Sequence, residues 1–159
     1  MKLYEHEGKS LLRAMEIQIP RGDVASDPET AHKIAEGLAY PVVVKSQVLS
    51  GGRGKAGGIQ FAPNRSELSD SVNQLLGMQI GEETVRQLLI EEQLSVVQEY
   101  YMGITVDPQT GMPMLMLSSA GGMEIESSAR QSPETIVRQH LDPLQTYRPF
   151  HTLNLGLKA

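Results

Sequence analysis

Apolar positions in this chain recur at helical spacing in some stretches and in unbroken or alternating runs in others, so helices and strands are expected in alternation. Residues 4 to 15 carry Leu11, Leu12 and Met15 on one side and suit a helix, and Ile17 to Gly22 reads as an extended connection ended by Pro20 and Gly22. Asp27 before Pro28, followed by Glu29 and Thr30, is a helix start for Ala31, Ile34, Ala35 and Leu38. Pro41 to Val48 predicts a strand, Ile59 to Ala62 a second, and Ser66 is placed as the cap of a helix bearing Leu68, Val72, Leu75 and Leu76. Val85 to Ile90 predicts another strand. Residues 98 to 106 and 113 to 118 flank Asp107-Pro108-Gln109-Thr110-Gly111, a turn sequence that predicts a hairpin. A last helix is expected to start near Ser132-Pro133-Glu134. In the terminal stretch Phe150, Leu153 and Leu157 keep helix-like spacing across Gly156. The fold class is α/β or α+β, and the antiparallel hairpin excludes a purely parallel sheet.

One segment does not fit a packing role. Gly51 to Gly58 holds five glycines in eight positions, with Lys45, Arg53 and Lys55 around them. Glycines leave main-chain N–H groups uncovered, and three cations beside them make a seat for polyphosphate. Gly52, Gly54 and Gly57 match the spacing of a dinucleotide fingerprint, yet the strand-like Ile59-Gln60-Phe61-Ala62 comes next, where that fingerprint needs a helix. A Walker A loop needs Gly at 49 and Ser or Thr at 56, where this chain has Leu49 and Ala56. The pattern left is strand, glycine-rich turn, strand: a flap over phosphates, or a flexible basic hairpin.

Composition narrows the setting. At 159 residues, with 40% hydrophobic and 21% charged residues, the chain can bury one ordinary core. The formal charge of −5 gives no general attraction to nucleic acid or acidic membranes, so the positive cluster at 45 to 55 stands out locally. Cysteine is absent, which removes disulfides and thiolate zinc sites, and no apolar run approaches the roughly 20 residues of a membrane span. The N-terminus turns polar within a few residues, which argues against a signal peptide. A cytoplasmic setting is expected, with an organellar matrix open if a targeting segment has been removed. His6, His32, His140 and His151 lack metal-like spacing, and the alternating Met112, Met114 and Met116 are expected to pack in a core.

Four separated motifs in order carry a resemblance: the opening Met1-Lys2-Leu3-Tyr4-Glu5-His6-Glu7-Gly8-Lys9-Ser10-Leu11-Leu12, Val43-Val44-Lys45-Ser46-Gln47-Val48, Gly51 to Gly58, and Gly121-Gly122-Met123-Glu124-Ile125-Glu126. Together they resemble the β subunit of succinyl-CoA synthetase, of the ADP-forming acid–CoA ligases that include malate–CoA ligase and the citryl-CoA synthetases. The resemblance implies the ATP-grasp fold, with residues 1–92 as the smaller lobe plus an N-terminal helix, and 93–159 as the beginning of a truncated larger lobe. It implies ATP or ADP as ligand, with magnesium in the complete parent, and an α subunit whose phosphohistidine carries the phosphoryl group from ATP to the acid before CoA displaces it. Further partners expected are the missing C-terminal part of the β subunit and, through its exposed apolar end, a second copy of the chain. No nucleic acid and no membrane are expected.

The same resemblance puts Lys45 on a phosphate-contacting lysine and Gly52, Arg53 and Gly54 on a loop that touches the nucleotide by main chain. It sets Glu91, Leu94 and Glu99 around the connection between lobes, where a carboxylate takes ribose hydroxyls and the backbone at Leu94 holds adenine. Alternation from Ile90 and the motif register favour Glu91 over Glu92. Pro20 stands where ATP-preferring members carry proline, which points to adenine. Ala120 stands where members carry an acidic residue before Gly-Gly, which leaves the acid substrate open between succinate, malate and citrate. No catalytic or metal-ligating residue is assigned to this chain, which alone is expected to be inactive. The alternative is a stand-alone nucleotide-binding or regulatory module.

Overall fold

A computed structural model describes residues 2–122, 133–146 and 148–158. The chain divides into two compact units, Met1–Ser95 and Val96–Ala159. In the first, a four-stranded antiparallel sheet has the order β1 (Gly22–Ala25), β6 (Leu88–Glu92), β2 (Val42–Ser46), β3 (Ile59–Ala62). A small hairpin of β4 (Gln79–Ile80) and β5 (Glu83–Thr84) lies between β3 and β6 in sequence.

Helices α2 (Pro28–Leu38) and α3 (Arg65–Leu75) pack against the sheet and each other. Asp27 caps α2, its carboxylate accepting the Thr30 N–H at 2.8 Å with proline in the first turn, as the sequence predicts. The cap of α3 is Asn64 instead of the expected Ser66. Asn64 is extended and accepts the Glu67 N–H at 3.1 Å, while its amide donates to Glu67 Oε1 at 2.9 Å. That reciprocal pair starts the helix earlier. Ala31 and Ala35 from α2, Leu68, Val72 and Leu75 from α3, and Val42, Val44, Leu88 and Ile90 from the sheet form the core.

Two departures from the periodicity have one cause. The connection expected to end at Gly22 runs into β1, a strand of which Gly22 and Asp23 give no apolar alternation, and the strand expected at 85–90 begins only at Leu88. Both depend on pairing with neighbours, β1 with β6 and Val85 N–H with the Met78 carbonyl at 2.9 Å. Helix α1 (Glu5–Ala14) forms as expected, but buries no residue, and Leu11, Leu12 and Met15 are exposed.

In the second unit β7 (Tyr101–Val106), β8 (Pro113–Ser118) and β9 (Val137–His140) make an antiparallel sheet. The Asp107 turn forms as predicted, its carboxylate accepting from the Gln109 N–H and the Thr110 hydroxyl at 3.0 and 2.9 Å. The helix expected near residue 133 is replaced by one 3-10 turn at Pro133–Thr135 that leads into β9, since Val137 and Gln139 pair with Leu117 and Leu115. Ser132 lies outside the described residues. Met114 and Met116 are half-buried, whereas Leu115 between them is buried. A helix, α4 (Pro149–Gly156), buries Leu155 and leaves Phe150 and Leu153 exposed, and Leu157 just past its end is exposed too.

The mixed α/β architecture expected from the sequence is therefore present, with every described strand pair antiparallel. Ile90 is fully buried on β6, which lies between β1 and β2. Ile90→Ala should destabilise the chain by about 2–5 kcal/mol. Val97→Ala, at a side chain 99% exposed, should change it by less than about 0.5 kcal/mol. Denaturant midpoints followed by circular dichroism measure both.

Candidate functional site

Alternation along β2 and β6 sends Val42, Val44, Leu88 and Ile90 into the core and turns Lys45 and Glu91 to the opposite face. There α1 supplies Glu5 and Lys9, and the glycine turn supplies Arg53. Lys45 Nζ lies 2.7 Å from Glu91 Oε2, an ion pair outside hydrogen-bond angles, and donates to Glu5 Oε1 at 3.1 Å. Lys9 bridges the same two acids, 2.8 Å from Glu5 Oε1 and hydrogen-bonded to Glu91 Oε1. Arg53 binds Glu5 Oε2 with one guanidinium nitrogen, and its other nitrogen donates to the Ser46 carbonyl at 3.1 Å. Three cations thus enclose two carboxylates.

Burial alone would push the Glu5 carboxyl up. The hydrogen bond from Lys9 and the charges of Lys45, Arg53 and Lys9 outweigh it and lower the pKa from 4.5 to about 2. For Lys45, burial pulls the pKa down, and the adjoining Glu91 and Glu5 reverse this and hold it above its ordinary value. Lys45 is a full positive charge at any physiological pH.

The turn after β2 owes its shape to glycine. Gly52 and Gly57 have φ of 82° and 78°, which side chains strain to adopt. Among the described residues, the bonds inside this turn are donated by the N–H groups of Ala56, Gly57 and Gly58, and none by those of Gly52, Arg53 and Gly54. The three residues expected to face a nucleotide through their main chain thus keep those donors out of the turn's own hydrogen bonding. Gly22 has a different duty. It pairs with Glu91 across β1 and β6, and a Cβ there would sit 2.4 Å from the Ile90 carbonyl oxygen and 2.7 Å from Glu91 Cγ.

Of the expected residues, the structure brings together Lys45, Arg53 and Glu91. Glu91 is 2% exposed, so it is no solvated face, and Glu92 points elsewhere, accepting from the Arg21 N–H and Nε at 2.8 Å each. Leu94 follows β6 without regular structure and is exposed. Glu99 belongs to the second unit, where its carbonyl accepts the Gly121 N–H at 3.1 Å and its Oε2 lies 2.9 Å from where a Gly122 Cβ would stand. Met123 to Glu126 lie outside the described residues.

Sequence reasoning assigned no role to Glu5, Lys9 or Gly22. Their signal was an acid four residues before a lysine on a helix whose apolar residues find no core, and a glycine entering a strand.

Three histidines have partners: His6 with Gln47 Oε1, His32 Nε2 with Ser69 Oγ at 3.0 Å, and His140 Nε2 with Asp107 Oδ2 at 2.7 Å. Among the described residues no group of three or more His, Asp or Glu could hold a metal ion. A cavity of about 610 Å³ is lined by Tyr4, Ser26, Gln47, Glu82, Glu83, Thr84, Arg86 and Gln87. Glu82 and Glu83 bring carboxylates to it and Arg86 a guanidinium. A smaller one of about 90 Å³ lies between α1 and the sheet, bounded by Lys9, Pro20, Gly22 and Glu91.

Residues 2–159 match the family described as ATP-grasp domain. The chain belongs to the ATP-grasp family. Its curated relatives include the succinate–CoA ligase [ADP-forming] subunit beta of Methanothermobacter thermautotrophicus, 44% identical over 99% of this chain and 43% of the relative. Subunit beta 1 of the same ligase from Archaeoglobus fulgidus is 44% identical over all of this chain and 42% of the relative. The chain therefore spans less than half the length of these relatives. Acetyl-coenzyme A synthetase 1 of Ca. Korarchaeum cryptofilum superimposes with a TM-score of 0.73 at 20% identity, covering 91% of this chain and 62% of the other. ATP citrate lyase of Methanothrix soehngenii does so with 0.67 at 19% identity, covering 99% and 42%. These structures share the ATP-grasp chain's fold.

Acid should undo the charge cluster in a stated direction. Because the folded pKa of Glu5 is depressed, the stability its ion pairs contribute is present above about 4.5 and is lost as pH falls toward about 2. At neutral pH the unmutated chain should melt above Glu5→Gln. Melting curves across that acid range should show the gap closing, and a gap independent of pH would contradict the assignment.

Proposed function

We propose that this ATP-grasp chain is the nucleotide-binding portion of an ADP-forming acid–CoA ligase β subunit. Its parent converts ATP, a carboxylic acid and CoA to acyl-CoA, ADP and phosphate through a phosphohistidine on a partner α subunit. The observation that carries the reading is that Lys45 and Arg53 meet on one carboxylate, Glu5, while the turn that carries Arg53 leaves the N–H groups of Gly52, Arg53 and Gly54 out of its own hydrogen bonding. Phosphoryl transfer asks the protein mainly for position and for neutralised charge. Lys45 acts as a point charge on the phosphates, and the turn donates main-chain hydrogen bonds to their oxygens. Glu91 and Glu99 accept from ribose hydroxyls, and the backbone at Leu94 takes adenine.

Residues 1–92 act as the smaller lobe and 93–159 as the start of the larger. Magnesium would neutralise charge on the phosphates, and acidic residues in the part of the parent β subunit that this chain does not span would hold it. Self-association through the exposed apolar residues of β7 and α4 belongs to the same reading. For the acid, succinate is supported by the names of the relatives, and Ala120, where an acidic residue is expected before Gly121, leaves malate and citrate open.

Calorimetry with ADP on the 159-residue chain tests the site. Binding is expected to be weak, since one wall collects phosphate contacts without enclosing the ligand, and Lys45→Ala should weaken it by about tenfold or more. Equal heats from the two proteins would remove Lys45 from the site.

The chain alone should form no acyl-CoA from ATP, acid and CoA. Steady product from the purified chain, measured by chromatography, would contradict that.

A further inference from the structure

The cations of the phosphate seat already hold an anion. Glu5 engages Lys9 and Lys45 through Oε1 and Arg53 through Oε2, the last two being cations that the proposed function assigns to the nucleotide. Resting on that reading, we propose that Glu5 is an internal competitor of the nucleotide phosphates: its carboxylate is exchanged for phosphate oxygens on binding, and the first turn of α1 is released.

Three observations carry this. A carboxylate and a phosphate present the same chemistry to these groups, anionic oxygens accepting charge-assisted N–H bonds, so they cannot both take the same donors fully. Of the two acids in the cluster, Glu91 is 2% exposed on a paired strand, and it keeps Lys9 and Lys45 partnered if Glu5 leaves. Glu5, by contrast, stands on a helix that buries no side chain and leaves Leu11, Leu12 and Met15 exposed. Polar contacts hold that helix, chiefly His6 to Gln47, Lys9 to Glu91, and Glu5 itself.

Charge gives the direction. Lys9, Lys45 and Arg53 against Glu5 and Glu91 leave one net positive charge, and moving Glu5 away leaves two for a polyphosphate carrying more negative charge than one carboxylate. If Glu5 merely positioned Lys45 and Arg53, its removal would weaken binding. As a competitor, its removal strengthens binding. The two roles predict opposite signs.

The test titrates ADP into the unmutated 159-residue chain, Glu5→Gln, Lys45→Ala and, as a control for net charge alone, the exposed Glu82→Gln. Glu5→Gln should bind roughly fivefold tighter, on the scale of a partly buried ion pair removed from competition, and Glu82→Gln should match the unmutated chain. Unchanged or weaker binding by Glu5→Gln, or an equal gain from Glu82→Gln, overturns the proposal; the phosphate reading itself stands or falls on Lys45→Ala. Should Glu5→Gln fail to fold, hydrogen exchange of the unmutated chain decides. Saturating ADP should speed exchange of the α1 amides from Gly8 onward, and unchanged or slower exchange overturns the proposal.

Discussion

The antiparallel register between β2 and β6 is the constraint on which the first unit depends. Val42 and Val44 on one strand, and Leu88 and Ile90 on the other, must all face α2 and α3, because only that side offers an apolar core. With a side-chain period of two, a slip of one residue would drive Lys45 and Glu91 into that core and turn four apolar side chains toward the charged face. Burial of the apolar set therefore fixes where the charged set stands. The position of Lys45 is a consequence of packing on the far side of its own strand.

The charged face obeys a second balance. Taking an ion out of water costs several kcal/mol, and a close pair near a protein surface returns on the order of 4 kcal/mol. A lone pair would come close to break-even. Five groups that share partners do better, and the depressed pKa of Glu5 and the raised pKa of Lys45 show that pairing outweighs desolvation at both ends. Such a cluster is a poor source of stability compared with the apolar core, but it holds the cations charged and oriented. It also makes α1 an element fastened by charge, which is reversible in a way that a buried apolar contact is not.

Family membership and geometry bear on different questions. The match over residues 2–159 establishes an ATP-grasp chain, and the chain spans less than half the length of the succinate–CoA ligase relatives it matches. The geometry says which side chains meet: Lys45 and Arg53, with Glu5 and Glu91 as counter-charges. Gly22 is part of that geometry without touching any charge, because its missing Cβ lets β1 approach the backbone that carries Glu91.

The sequence by itself determined the elements whose signals are local. The Asp27–Pro28 start of α2, the glycine turn between β2 and β3, and the Asp107 hairpin each rest on side chains that act on their own backbone within a few residues. It also marked Lys45, Gly52, Arg53, Gly54 and Glu91, since a basic, glycine-rich turn after an apolar strand and a family resemblance are both written along the chain. Only tertiary structure decided the rest. Strands β1 and β9 exist because a neighbour's unpaired backbone recruits residues with little strand character of their own, which cost the sequence reading both β1 and the expected helix near residue 133. The partners of Lys45 come from forty and more residues away, Glu5 on a helix and Glu91 on another strand. Coulomb attraction depends on distance in space, and no spacing along the chain encodes that distance until the sheet has set it.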